Sequence, residues 1–514
     1  MMNIHKSKTF LAALLAGMMF SCIGDLDVEP IDENSITSAT VFDSPEAYKQ
    51  ALAKLYAGFA ISGQQGPSGL PDIAGVDEGF SCYSRSYWYL QELTTDEAVW
   101  TYDENQIFNL HYHTWTPSDV LINAMFSRIT YVVVLANEYI RNTADATDPE
   151  LQMYNREARF LRALAYYHGL DLFGDMPFVT EADEPGAFLP EQVSRAELFA
   201  YVESELKAIQ NELGEPRFEY GRADKGSAAM LLAKLYLNAE VYLGEGNKKY
   251  TEAITELNKV IGASYSLAPK FLDNFVADNH NSPEIIFPIN YDGDHTQAYA
   301  ITQVMIFGNA GNGGWSGLRT TSGLSDKFII PSDYRELFAK EDKEQTREIT
   351  AINQSKQGYG VYKFRKENKD GSAGFTGDFP DTDFPLFRLA DAYLMYAEAV
   401  NRGGTGGDLA TAAGYINELR TRDDETPLPT ITAADITGEE GLEFILDERA
   451  RELYWEGHRR TDLIRFGKFT GGEYLWPWKG NALNGTSTPD HLNVFPIPSN
   501  DLGANPNLEQ NTGY

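Results

Sequence analysis

The chain has 514 residues, enough for two or three domains by length alone. Hydrophobic residues make up 43% of it and aromatic residues 12%, which supplies a large core and excludes a disordered chain. Lysine and arginine number 42 against 75 acidic residues, and the net charge of -33 excludes nucleic acid and disfavours anionic lipid, so neutral ligands or metal cations fit this surface. Two cysteines cannot build a disulfide framework or a cysteine-rich zinc site.

The N-terminus has the pattern of a lipoprotein leader. Basic residues precede an apolar run of about a dozen residues, which is too short for a spanning helix of about 20. A small residue and Cys22 end the run. We predict that residues 1–21 are a signal peptide, that Cys22 is acylated, and that residues 22–44 tether the protein to a membrane. An ordinary secretory peptide is the alternative, and Met19 departs from the usual aliphatic residue.

Helical patterns cover most of the remaining chain. Ser44 and Pro45 form a start signal for a helix over residues 45–61. Residues 150–173 carry apolar stripes on two faces and end at Gly174. Further helices are predicted at about 118–142, 194–213, 224–243, 248–262, 385–402, 407–422, 439–457 and 458–467.

A different composition interrupts the helices between about residues 264 and 383, where Gly, Asn, Asp, Ser, Thr and aromatic residues predominate. Antiparallel pairs of such helices resemble tetratricopeptide units of about 34 residues. We therefore predict a mainly α fold of tetratricopeptide-like helical pairs with a large irregular, loop-rich insertion. No long linker divides residues 45–514, so we expect one body whose loops carry the binding site.

Several segments of the chain resemble the RagB/SusD family, in order and from end to end. They are EARFLRALAYY at 157–167 with DLFGDMP at 171–177, PLFRLADAYLMYAEA at 385–399, DERARELYWEGHRRTDLIRFG at 447–467, and FPIP at 495–498 with QNTGY at 510–514. Together, behind a lipoprotein leader, these segments are specific for that family.

The family resemblance implies a function as well as a fold. Members are binding proteins, not enzymes, and need no cofactor. They are lipid-anchored on the outer face of the outer membrane, and they deliver glycans to a SusC-like TonB-dependent transporter. The acidic residues Asp25, Asp27 and Glu29 after Cys22 are similar to the surface-export signals of Bacteroidetes lipoproteins.

The chain resembles the starch-binding member more closely than it resembles the family at large, although its central insertion is shorter. The stretches that carry this similarity are 22–32, 95–106, 380–385 and 474–486. The resemblance implies that the ligand is starch or a maltooligosaccharide, which are α-1,4-glucans. Binding of another polysaccharide is the alternative.

The same resemblance implies the ligand-binding residues. Tyr102, Tyr299 and Trp315 match the sugar-stacking positions, and Tyr102 stands where that member has a tryptophan. Arg85 and Asn105 match positions that bond the sugar hydroxyls.

The chemistry of a sugar ring suits these residue types. An exposed aromatic ring covers the apolar C–H face of the sugar, and amide or guanidinium groups bond its hydroxyls. Because an α-1,4-glucan curves, the stacking rings should lie on an arc. Packing in the core is the alternative for each aromatic residue, and a surface ion pair is the alternative for Arg85. Trp100 is interpreted as structural.

Weaker patterns indicate metal sites. Asp378, Asp381 and Asp383 could offer oxygens to a structural Ca²⁺, or they could form a turn before a helix. His111 and His113 are two residues apart, which suggests one face of a strand, but a His-x-His pair without a third ligand is weak for zinc.

Two other functions compete with glycan binding. A glycoside hydrolase needs two carboxylates about 5 Å or about 6.5–9.5 Å apart across a cleft, and no pattern selects such a pair. A structural lid on the transporter, with little affinity for ligand, would share the fold and the anchor. The i,i+3 pairs Glu448–Arg451 and Arg449–Glu452 indicate helical scaffold and not acid–base catalysis.

Overall fold

The protein is described here by a computed structural model that covers residues 41–101, 105–184, 186, 188–308, 317–320, 361–374, 377–422 and 428–514. The chain divides into two compact units, residues 1–51 and 52–514, with the boundary inside the helix Pro45–Ala57. Cys22 and the predicted leader lie outside the described residues, and the predicted boundaries of leader and tether stay predictions.

Helices dominate the described residues, which confirms the mainly α fold. They are α1 (Pro45–Ala57), α2 (Tyr83–Glu92), α3 (Asn105–Tyr112), α4 (Val120–Thr143), α5 (Pro149–Leu172), α6 (Arg195–Ile209), α7 (Lys225–Leu237), α8 (Ala239–Leu243), α9 (Tyr250–Ile261), α10 (Ile301–Gly308), α11 (Leu389–Asn401), α12 (Leu409–Arg420), α13 (Gly438–Leu453), α14 (Arg459–Arg465) and α15 (Ser499–Ala504).

Short strands form three antiparallel pairs within the described residues. The strands are β1 (Val99–Trp100), β2 (Met176–Pro177), β3 (Gln192–Val193), β4 (Ile285–Ile289), β5 (Leu318–Arg319) and β6 (Phe384–Arg388). The pairs are β1 with β5, β2 with β3, and β4 with β6.

The long helices begin where the sequence supplies caps. Asp119 accepts a backbone hydrogen bond in the first turn of α4. Asp148 does the same for α5, with Pro149 as the first helical residue. Ser194 and Glu197 form a reciprocal capping box at the start of α6. Such caps satisfy backbone donors that have no partner within the helix, and each contributes about 1 kcal/mol.

The helices of the body pack in a neighbour-to-neighbour series. Helix α4 packs against α5, α5 against α6, α6 against α7, α7 against α9, α9 against α11, and α11 against both α12 and α13. This order is typical of stacked helical pairs. Helix α4 is long and apolar enough to cross a membrane by length and composition, but 61% of its apolar window is buried in the fold, as expected of a core helix.

An antiparallel strand pair joins the two ends of the insertion. In β4 and β6, Ile285 lies opposite Arg388 and Ile289 opposite Phe384, and every residue of both strands is buried. The predicted start of a helix at residue 385 is therefore wrong. Because β6 uses its backbone to pair with β4, helix α11 begins only at Leu389.

Three other expectations about local structure need correction. The predicted helix 224–243 is interrupted at Asn238, whose side-chain amide donates to the carbonyl of Lys234 at 2.9 Å. The predicted helix 439–457 ends at Leu453. The expectation of a strand at His111 and His113 is wrong, since His111 lies in α3 and His113 has a left-handed backbone (φ 55°).

The predicted ion pairs on α13 have a mixed outcome. The Glu448–Arg451 pair is confirmed at 2.6 Å. The Arg449–Glu452 pair is wrong, because Arg449 instead bonds to Asp391 at 2.9 Å. Both side chains turn inward, since neighbouring helices cover this face of α13.

Glu452 belongs to a buried ionic cluster centred on Arg388, whose side chain is 0% exposed. Arg388 bonds to Glu284 at 2.7 Å, Glu452 at 2.8 Å and Glu456 at 2.5 Å. Two further cations belong to the cluster: Arg422 bonds to Glu284 at 2.8 Å, and Lys363 lies 2.5 Å from Glu456. This cluster joins β4, β6 and the end of α13, and thus connects the insertion to the helical body.

Candidate functional site

Helix α2 positions the first candidate residue, Arg85. All ten residues of α2 are buried, and Arg85 is 7% exposed. Its Nε donates to the hydroxyl of Tyr89 at 2.8 Å, and its Nη1 donates to the carbonyl of Gly79 at 2.8 Å. The guanidinium is therefore held by neutral oxygens, and the alternative of a surface ion pair does not describe its contacts.

The structure brings Arg85 and Tyr299 together. Nη1 of Arg85 also donates to the backbone carbonyl of Tyr299, at 3.2 Å and across 214 positions of sequence. The ring of Tyr299 is half-buried and packs beside Phe379, with centroids 5.8 Å apart and planes tilted by 53°. Phe379 thus supports the ring of Tyr299, and part of the Tyr299 side chain is exposed to solvent.

A ribbon formed by β1 and β5 lies next to this pair. Tyr89, which bonds Arg85, packs edge-on against Trp100 in β1 at 6.0 Å. Trp100 is buried, as interpreted from the sequence. Beyond Trp100, Thr101 extends the ribbon through its N–H and its hydroxyl, which donate to the carbonyl of Gly317 at 2.8 and 3.0 Å.

The remaining candidate residues are close to this ribbon in sequence. Tyr102 and Trp315 lie outside the described residues. Asn105 is the first residue of α3, and its side chain is also outside the described part of the chain. Their roles stay predictions.

The base of the ribbon is bound to the scaffold by two buried carboxyl groups that the sequence did not single out. Glu92 accepts the N–H of Gly457 at 2.7 Å, and Glu97 accepts the N–H of Trp455 at 3.0 Å. Burial raises the pKa of Glu92 to about 8, and burial together with the charge of Glu92 raises the pKa of Glu97. Arg459 is the nearby cation, at 3.8 Å from Glu97.

The aspartates considered for calcium bond to protein donors. Asp383 accepts the N–H of Tyr291 at 2.6 Å and the hydroxyl of Tyr220 at 2.7 Å, and burial raises its pKa to about 7. Asp381 accepts the N–H of Gly293 at 2.9 Å. Within the described ranges, no three His, Cys, Asp or Glu side chains form a group that could hold a metal ion. Calcium stays a prediction without an identified site.

The two histidines considered for zinc lie in the core. A ring nitrogen of His111 is 3.2 Å from the carbonyl of Leu93, and one of His113 is 2.7 Å from that of Thr94. Burial lowers the pKa of His111 to about 4 and that of His113 to about 3. These contacts are structural.

An internal polar cavity lies apart from the Arg85–Tyr299 pair. His168, Lys234, His458 and Arg449 are among the residues that line it, and neither Arg85 nor Tyr299 does. Lys234 is paired there with Asp391 at 2.6 Å, so this cavity belongs to the scaffold.

Sequence reasoning missed Tyr89 and Gly79, which hold Arg85, and it missed helix α2 altogether. Its ten residues, YSRSYWYLQE, are all buried although half of them are Ser, Arg, Gln or Glu, so their composition does not indicate a core helix. The density of aromatic residues was the one available signal.

The scaffold of helical pairs with a loop-rich insertion is that of the SusD superfamily. A crystal structure of a superfamily protein from Parabacteroides distasonis matches with a TM-score of 0.72 and 20% identity, covering 93% of this chain and 100% of that one. A SusD-like carbohydrate binding protein from Bacteroides fragilis matches with a TM-score of 0.71 and 17% identity, covering 91% and 100%. At these identities the likeness establishes the fold.

The chain belongs to the SusD family. Residues 343–514 match that family. The chain is 36% identical to the starch-binding protein SusD of Bacteroides thetaiotaomicron, covering 98% of each chain. It is 26% identical to the SusD-like protein P25 of Formosa agariphila, covering 96% of this chain and 97% of the relative. The resemblance stated from sequence is thus confirmed.

Proposed function

We propose that this protein binds an α-1,4-glucan, as starch or maltooligosaccharide, through Arg85, Tyr102, Asn105, Tyr299 and Trp315. One observation carries the proposal. Arg85 and Tyr299, far apart in sequence, are in contact in a chain that is 36% identical to a starch-binding protein over 98% of its length. No chemistry beyond reversible binding is required of these residues.

The ribbon supports a common site for the two stacking residues that lie outside the described part of the chain. Tyr102 is one residue beyond Thr101, and Trp315 is two residues before Gly317. Thr101 and Gly317 are hydrogen-bonded, so the ribbon pairs the two described segments that stand next to these candidates in sequence.

The way Arg85 is held supports a role in positioning. Its donors are shared among the hydroxyl of Tyr89 and two backbone carbonyls, so the guanidinium is fixed before ligand arrives. A preorganised polar group loses less entropy on binding than a mobile surface side chain. Arg85 would thereby hold the segment that carries Tyr299 in place. It would also bond sugar hydroxyls beside the Tyr299 ring.

We further propose that the protein acts at the cell surface. The leader pattern supports acylation of Cys22, and anchoring by several acyl chains is stable at about 0.8 kcal/mol per buried methylene. The proposed partner is a SusC-like TonB-dependent transporter in the outer membrane. Loss of membrane retention in a Cys22→Ala variant, and co-purification with such a transporter from wild-type membranes, are the expected results.

Affinity electrophoresis in gels with soluble starch tests the binding proposal. The protein should be retarded, and Tyr299→Ala should restore free migration. Phe218→Ala is the matched control, because Phe218 is an exposed aromatic outside the candidate site. Unretarded migration of the wild type in starch, with retardation in another glycan, would reject the α-glucan and retain a binding protein. Failure to bind any glycan while transport persists would favour the structural lid.

A further inference from the structure

A second aromatic corner lies at the far end of helix α3. Tyr112 is the last residue of α3, and its ring centroid is 6.1 Å from that of Trp478, with the planes tilted by 55°. Both side chains are half-buried. The indole N–H of Trp478 is shielded from solvent and has no hydrogen-bond partner among the described residues. Packing and the backbone of its loop therefore hold this indole in position, and its half-buried ring remains available for stacking.

The loop that carries Trp478 has an unusual backbone. Trp478 (φ 76°) and Asn481 (φ 59°) both adopt the left-handed conformation, which is a genuine outlier for a residue as bulky as tryptophan. Hydrogen bonds hold the loop in this shape, from the N–H of Trp478 to the carbonyl of Ala482 at 2.8 Å and from Thr486 to Lys479 at 3.0 Å. Strain that is maintained in this way is common at ligand-binding sites.

Lys479 holds the loop that carries Trp478 in place. Its side chain is buried, and its ammonium donates to the carbonyls of Tyr474 at 2.8 Å and Thr470 at 3.3 Å. The same ammonium lies 4.4 Å from the ring centroid of Trp476. A loop held by these contacts is ordered before any ligand binds, which lowers the entropic cost of binding.

Two amide side chains belong to the same loop as Trp478. Asn481 and Asn484 are exposed, and their side chains form no hydrogen bond with the part of the chain that the structure describes. Leu483, between them in sequence, is 52% exposed. Aromatic faces beside unpaired amides are the combination that recognises a sugar, because the ring covers its C–H face and the amides bond its hydroxyls.

The corner is connected to the candidate site by α3 itself. Positions 105 and 112 are seven residues apart, which places them on the same side of the helix and about 10 Å apart along its axis. A glucan held at the candidate site would therefore need only a few more sugar rings to reach Trp478.

We infer that Tyr112, Trp478, Asn481 and Asn484 form an extension subsite that binds further sugar rings of the same α-glucan. This inference rests on the proposed function, and it makes affinity depend on chain length. A short oligosaccharide occupies only the candidate site, and a longer one binds to both the candidate site and the extension subsite.

Calorimetry with the full mature lipoprotein in detergent tests the inference, with maltotriose and maltoheptaose as probes. Trp478→Ala and Asn484→Ala should each weaken maltoheptaose binding by roughly 3- to 10-fold, which corresponds to one aromatic or amide contact. Neither should change maltotriose binding. Asn484→Ala removes only an exposed amide, so its result does not depend on the packing of the loop. Leu475→Ala, on the same loop and 44% exposed, is the control and should match the wild type with both probes.

The outcomes separate the two proposals. If the wild type binds neither oligosaccharide, the proposed function fails. If the wild type binds both and the Trp478→Ala and Asn484→Ala variants bind maltoheptaose equally well, the extension subsite alone is rejected. An equal loss of affinity for both lengths would also reject it, since an extension subsite is reached only by the longer ligand.

Discussion

The phenol of Tyr454 donates a hydrogen bond of 2.6 Å to the backbone carbonyl of Glu97, although 357 positions of sequence separate them. Tyr454 directly follows α13, and Glu97 lies two residues before β1. The indole of Trp455 donates to the same carbonyl at 3.0 Å. This doubly bonded carbonyl, together with the carboxyl groups of Glu92 and Glu97, therefore attaches to the scaffold the ribbon that leads to the predicted stacking residues.

Removing one of these bonds should loosen the ribbon. Tyr454→Phe deletes the hydroxyl that bonds Glu97 and also contacts the Thr320 hydroxyl. We expect the free energy of unfolding to fall by about 1–2 kcal/mol and starch affinity to fall with it, because the binding segment becomes less ordered. Urea titration and calorimetry measure the two effects. Tyr415→Phe should leave both quantities unchanged, because the half-buried phenol of Tyr415 makes no hydrogen bond within the described residues. Equal behaviour of the two variants would contradict the attachment.

The Arg388 cluster should be sensitive to loss of its cation. Arg388→Met leaves Glu284, Glu452 and Glu456 buried with too little positive charge, and removing one partner of a buried ionic cluster costs about 3–5 kcal/mol. Lys207→Met is the control, since Lys207 is 56% exposed in its pair with Glu203 and such pairs contribute less than about 1 kcal/mol. Urea unfolding compares them, and a cost for Arg388→Met no larger than that for Lys207→Met would refute the role of the cluster.

Asp383 should make stability fall as pH rises from 4 to 7. Its folded pKa of about 7 is raised by burial above the unfolded value of about 3.9. Between these values the folded state keeps a proton that the unfolded state has lost, so the free energy of unfolding decreases with pH, by up to about 4 kcal/mol. Asp383→Asn cannot titrate. The difference in unfolding free energy between wild type and this variant should therefore decline from pH 4 to 7 and stay level above pH 8. A level difference throughout would show that the carboxyl is ionised in the folded state at pH 4.

His113 should make the free energy of unfolding fall as pH falls, over a pH range that overlaps the range of Asp383. Burial lowers its folded pKa to about 3, below the unfolded value of about 6.5. Below pH 6.5 the unfolded state binds a proton that the folded state does not bind. The free energy of unfolding therefore falls as pH falls, by up to about 4–5 kcal/mol near pH 3. His113→Gln removes this titration, and its stability relative to wild type should rise steadily from pH 6.5 to 4. Parallel pH profiles would indicate that the ring is protonated in the folded protein.

Sequence patterns predicted the elements whose signals are local. Helices α4, α5 and α6 have side-chain caps within a few residues of their first turns, and α5 has the apolar stripes that a helix buries. Helix α2 escaped prediction because half of its residues are Ser, Arg, Gln or Glu, and their composition did not indicate that all ten are buried. The predicted start of a helix at residue 385 was wrong because this residue belongs to β6, which pairs with β4. Strand β4 lies about a hundred residues earlier, and no local pattern reveals this pairing.

The sequence by itself determined the class of the chain, since the helix caps and the family segments each lie within a short stretch of residues. It also named Arg85 and Tyr299, through resemblance. Only the tertiary structure decided that these two residues meet, that Arg449 faces Asp391, and that Trp478 lies against Tyr112. Such contacts depend on how distant segments pack, and packing follows from the burial of the whole chain and not from any single stretch of it.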